Sequence, residues 1–280
     1  MRCANKALHA ALAISLLLTQ PTAFAARPMI TDDARTVDAK ACQVESWVRT
    51  NHGSREYWAL PACNFTGNLE LTFGVARTAD ATGTHATDIV LQGKTLFKTL
   101  EPNGWSVGLV AGGIRHPADG KSVSELYSYV PASFSYFNDK MVLHTNVGTL
   151  HNTLNSSTRG TWGIGSETSF AENTWFIAEA FRQKSGRPFF QAGVRHWIVP
   201  NHVQIDATYG NRFGTASNER WFSIGLRLLS VVFFAAMNAS IKLAEHAGAS
   251  VVEILFFRQF GAALLVSAVI ASGPAMTSVA

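Results

Sequence analysis

Six charged residues of the 280-residue chain share one property of spacing. Glu70, Glu167, Glu179, Arg195, Asp206 and Arg227 each lie in a run whose apolar residues take every second position, and each falls on the opposite parity. Charges on the inner face of a closed sheet must pair or stay hydrated. They are therefore candidates for lining a lumen, either as a selectivity filter for a solute or as a salt-bridge network that plugs it, and the residues leave both open. Cys42 and Cys63 are a disulfide candidate in an oxidising compartment. Asp32 and Asp33 with Arg35 have the chemistry to hold a cation, but a polar turn before the first strand accounts for them more simply. No Walker loop, dinucleotide fingerprint or Cys/His cluster occurs. The expectation is no catalytic residue, no cofactor, no metal and no enzyme.

The elements that must position these residues are strands. Leu69, Leu71, Phe73 and Val75 interleave with Glu70, Thr72, Gly74 and Ala76; Val203, Ile205, Ala207 and Tyr209 interleave with Gln204, Asp206, Thr208 and Gly210. This is period 2, and helical spacing does not fit it. Twelve such segments are predicted, near 40–50, 55–64, 68–79, 86–98, 104–115, 125–136, 140–151, 159–170, 174–183, 188–199, 202–211 and 220–229. Most match the roughly 9–11 residues that a tilted strand needs to cross a bilayer. Tight connections alternate with longer polar ones, and Trp105, Trp162, Trp175, Trp197 and Trp221 fall near strand ends, where aromatic girdles sit. The fold expected is an all-β membrane protein, an antiparallel transmembrane barrel of about twelve strands. Its partners would be the lipid bilayer and a small-molecule solute. A two-residue turn at His52-Gly53 pairs residues whose numbers sum to 105, which sets Trp47 opposite Trp58, Arg49 opposite Glu56 and Cys42 opposite Cys63. Pro61 is the member expected to disturb that ladder. His144 and Asn146 share a face. Some twelve-stranded barrels are phospholipases with an H-x-S pair, and here Asn146 stands where the serine would be.

Composition agrees. Charged residues are 15% of the chain, with 22 glycines and a net charge of +4, which argues against disorder and against a nucleic-acid partner. Residues 1–25 read as a signal peptide: Arg2 and Lys6, the apolar run Ala11 to Leu18, and a cleavage site after Ala25. Residues 26–39 then form a periplasmic N-terminal segment and 40–229 the barrel. Residues 230–280 lose period 2 and read as two hydrophobic helices; 251–272 is long enough to span.

Two resemblances follow from these stretches. RPMITDDARTVDAKACQVESWVRT (27–50), with Gln43 and Glu45, resembles the start of the outer-membrane proteins named after the meta-pathway of phenol degradation. Over about 27–229 it implies an outer-membrane location and uptake of hydrophobic or aromatic compounds. Phe234, Met237, Asn238 and Lys242, then Glu253, Phe257 and Arg258, resemble the first two helices of the drug/metabolite (EamA-like) transporters. That implies an inner-membrane tail, in conflict with the barrel's location and suggestive of a fused reading frame. Three functions follow: an outer-membrane channel for small hydrophobic or aromatic solutes, a structural barrel with a plugged lumen and no flux, or a truncated transporter joined to a barrel.

Overall fold

The computed structural model describes residues 29–214 and 219–230. Twelve strands follow in chain order: β1 (Ala41–Asn51), β2 (Ser54–Asn64), β3 (Leu69–Asp80), β4 (His85–Lys98), β5 (Trp105–Arg115), β6 (Glu125–Tyr136), β7 (Met141–Asn152), β8 (Ser157–Ala171), β9 (Thr174–Arg182), β10 (Phe189–Val199), β11 (Val203–Arg212) and β12 (Trp221–Ser230). Each pairs antiparallel with its chain neighbours, and β1 pairs with β12 from Cys42↔Ser230 to Asn51↔Trp221, closing the barrel. Closure leaves no strand edge, the condition for a sheet to sit in hydrocarbon.

Period 2 dictates the two faces. Leu69, Leu71 and Phe73 point outward and are more than 40% exposed, while Glu70 and Thr72 between them are buried inside. The same outward apolar band continues with Leu91, Val130, Val147, Ile164, Phe176 and Ile224. Among the described residues no helix is long and apolar enough to cross a membrane, which says nothing of a β-barrel. The two hydrophobic helices expected in 230–280 and the signal peptide of 1–25 lie outside the described residues, apart from Ser230, which ends β12.

One rim carries tight connections such as 172–173 and 200–202; the other carries loops such as 116–124 and 183–188. Asn173 (φ 58°) and Asn201 (φ 60°) occupy the left-handed positions of the tight turns, a conformation asparagine tolerates better than most residues. In the first hairpin Trp47 stacks on Trp58, centroids 5.2 Å apart, and Cys42 is disulfide-bonded to Cys63. Pro61 does not shift the register. It pairs with Val44 on β1, while the β2–β3 ladder lacks pairs only at Leu60 and Pro61 and resumes in the same register at Ala62↔Thr72.

Candidate functional site: the N-terminal segment inside the barrel

Residues 29–38 precede β1 without regular secondary structure. They run inside the barrel, where Thr31, Asp33, Ala34 and Val37 are at most 2% exposed. An irregular segment brings unpaired backbone groups with it, and the inward side chains of the strands satisfy them. Glu179 on β9 accepts the N–H groups of Ile30 and Thr31, both at 2.7 Å. Ser133 on β6 accepts that of Ala34 at 2.8 Å, and Glu70 on β3 that of Val37 at 2.7 Å. Asn64 at the end of β2 donates to the Val37 carbonyl at 2.7 Å. With its amide turned to suit both partners, Asn146 on β7 donates to the Asp32 carbonyl at 2.8 Å and accepts the Asp32 N–H at 2.7 Å.

Charge pairing adds to this. Lys94 on β4 lies 2.8 Å from Asp32 and 3.1 Å from Asp33, and Tyr129 donates to Asp32 at 2.9 Å. The acidic pair read as a polar turn thus shares a strand lysine inside the barrel. Arg35 approaches Glu167 at 3.8 Å. Inward glycines make the room: a Cβ on Gly163 would meet Thr31 Oγ1 at 2.5 Å, and one on Gly165 would meet Met29 Sδ at 3.0 Å.

All six charged candidates face inward and are 6% exposed or less. Glu70 and Glu179 hold the segment. Glu167 on β8 pairs in bidentate fashion with Arg195 on β10, at 2.7 and 2.8 Å, across β9. Such forked pairs are among the stronger ionic contacts. Arg227 on β12 donates to Gln43 at 2.7 and 3.1 Å and lies 3.7 Å from Glu45. Asp206 packs its carboxylate over Gly225, where a Cβ would meet it at 2.5 Å.

Sequence spacing missed a buried polar set. Ser133 Oγ and His144 Nδ1 are 2.7 Å apart across the β6–β7 pair, and His144 Nε2 lies 3.8 Å from Glu167. Serine, histidine and glutamate in that order are the residue types of a nucleophilic relay. Here the serine oxygen already accepts Ala34 N–H and the glutamate is held by Arg195, so the set braces the segment. The partner of His144 came from the neighbouring strand, so no local motif announced it.

Above the segment, at the long-loop mouth, a cavity of about 340 Å³ remains. Ile30 lies at its inner end. Phe181, Phe189 and Trp221 line one side, with centroids 5.7 to 6.3 Å apart, and Arg49, Asn51 and Glu56 line another.

The solved structures that share this architecture are barrels. The chain is similar to a KdgM porin in complex with disordered oligogalacturonate (10% identity, TM-score 0.50, covering 66% of this chain and 98% of that one). It is similar to the NanC porin (11%, 0.51, 67% and 99%) and to the COG4313 outer membrane channel from Pseudomonas putida F1 (10%, 0.50, 71% and 98%). At these identities the likeness is one of fold. No curated protein sequence matches the chain. The resemblances to the phenol-degradation proteins and to EamA-like transporters find no support in these matches. A family model does match, over residues 13–229, from the apolar run near the start to the end of the barrel: the chain belongs to the family described as Uncharacterised conserved protein UCP029691.

Proposed function

We propose that this protein is an outer-membrane channel of porin-like fold whose lumen is closed at rest by residues 29–38, and that small solutes pass when this segment is displaced. The observation that carries the reading is the set of contacts from β2, β3, β4, β6, β7, β8 and β9 onto one ten-residue stretch of chain. A segment held from seven strands fills a barrel of this size, yet it is joined to the wall by polar contacts that can be exchanged for water or solute. The apolar outer face supports placement in a bilayer, and tight turns on one rim with longer loops on the other support a periplasmic and an extracellular end. The aromatic wall of the outer cavity favours ring-bearing or otherwise apolar solutes.

Planar-bilayer conductance tests this. The wild-type protein should be silent at low voltage, and a variant lacking residues 29–38 should give steady openings. Steady wild-type conductance would overturn the closed state. A silent variant, shown to be folded by its heat-modifiable mobility, would favour the structural barrel without flux.

A further inference from the structure

We propose that the cavity at the long-loop mouth is a binding site for small organic anions that carry a flat apolar ring, of the aromatic carboxylate class. The inference rests on the closed lumen proposed above, because the cavity owes its inner end to Ile30 of the N-terminal segment.

Hydrogen-bonding capacity in the cavity is unbalanced. Both Glu56 oxygens already accept, one from Asn51 at 2.6 Å and the other from Trp58 at 2.9 Å. Glu219 is taken by Arg212 through both of its oxygens. The donors are less occupied. Arg49 comes no nearer to Glu56 than 3.8 Å, and its buried Nε has no hydrogen-bond partner among the described residues. Lys184, also in the lining, has no ion pair among the described residues. A buried guanidinium N–H without an acceptor is costly, and a carboxylate is the group whose geometry matches a guanidinium fork.

The rest of the wall selects what the carboxylate is attached to. Arg49 sits 5.4 Å from the centre of the Trp221 ring. An anion on Arg49 would therefore carry its body against Trp221 and the neighbouring Phe181 and Phe189. Rings stack there without disturbing the polar side, and the volume of about 340 Å³ suits a single-ring solute.

Calorimetric titration of the detergent-folded protein with benzoate, blanked against empty micelles, tests the site. Saturable binding is expected. Benzyl alcohol, which keeps the ring, and acetate, which keeps the charge, should each bind at least tenfold more weakly. Arg49→Gln should weaken benzoate at least tenfold in protein that keeps its heat-modifiable band. If that variant does not fold, Lys184→Gln, on an exposed loop, should weaken it about threefold. No saturable heat from folded wild-type protein would overturn the site. Benzyl alcohol binding as tightly as benzoate would overturn the anion class, and unchanged affinity in the folded variants would overturn the assigned residues. A conducting wild-type barrel would remove the closed state but would leave this titration to be judged by its own result.

Discussion

Glu179, midway along β9, and Thr31, in the N-terminal segment, are joined by a 2.7 Å hydrogen bond from backbone N–H to carboxylate, deep inside the barrel and 148 residues apart in the chain. The same carboxylate takes the Ile30 N–H with its other oxygen. One side chain thus satisfies two successive backbone donors that have no ladder to join.

Replacing Glu179 with Ala should loosen the segment. Two hydrogen bonds to a charged acceptor are worth about 3 kcal/mol together. The expected result is intermittent openings in planar bilayers from a protein otherwise silent. Unchanged silence in a folded variant would show that the other contacts suffice.

The Glu167–Arg195 pair should be needed for stability. Glu167→Gln leaves a fully buried guanidinium without its carboxylate, a change that costs about 3–5 kcal/mol. A lowered urea midpoint for unfolding from detergent measures it. Adding Arg195→Met should recover part of the loss, since the stranded charge is then gone. No recovery would assign the loss to Arg35 and His144, which also approach Glu167.

Phe137 adopts φ 55° in the turn between β6 and β7 and is 71% exposed. The left-handed conformation costs a phenylalanine about 1–2 kcal/mol. Phe137→Asn should therefore raise the stability of the detergent-folded protein by about 1 kcal/mol, read as a higher unfolding midpoint. A fall would show that the exposed ring contributes more than the backbone loses.

Reduction of Cys42–Cys63 should destabilise the first hairpin. Its sequence separation is 21, and chain-entropy reasoning assigns a loop of that length about 3 kcal/mol. Thiol labelling of the denatured protein should mark neither cysteine before reduction and both after it. Labelling of both without reduction would show that the bond does not form.

The wall of this barrel was legible in the sequence because strand geometry is local. A period of 2 assigns each residue to a face, so Glu70, Glu179 and Arg195 could be set inward from their neighbours alone. The turn at His52-Gly53 fixed a register, and with it Trp47 against Trp58 and Cys42 against Cys63. The contents of the lumen were not legible. Residues 29–38 have no period and so no face to read; where they lie depends on the space that closure of twelve strands encloses and on inward groups from seven of those strands. The same holds for Ser133 and His144, which meet only once the β6–β7 register is set. Sequence alone determined which residues look inward, because alternation is a property of one strand. Only the tertiary structure decided what they meet there, because a closed barrel brings residues up to 184 positions apart within hydrogen-bonding distance.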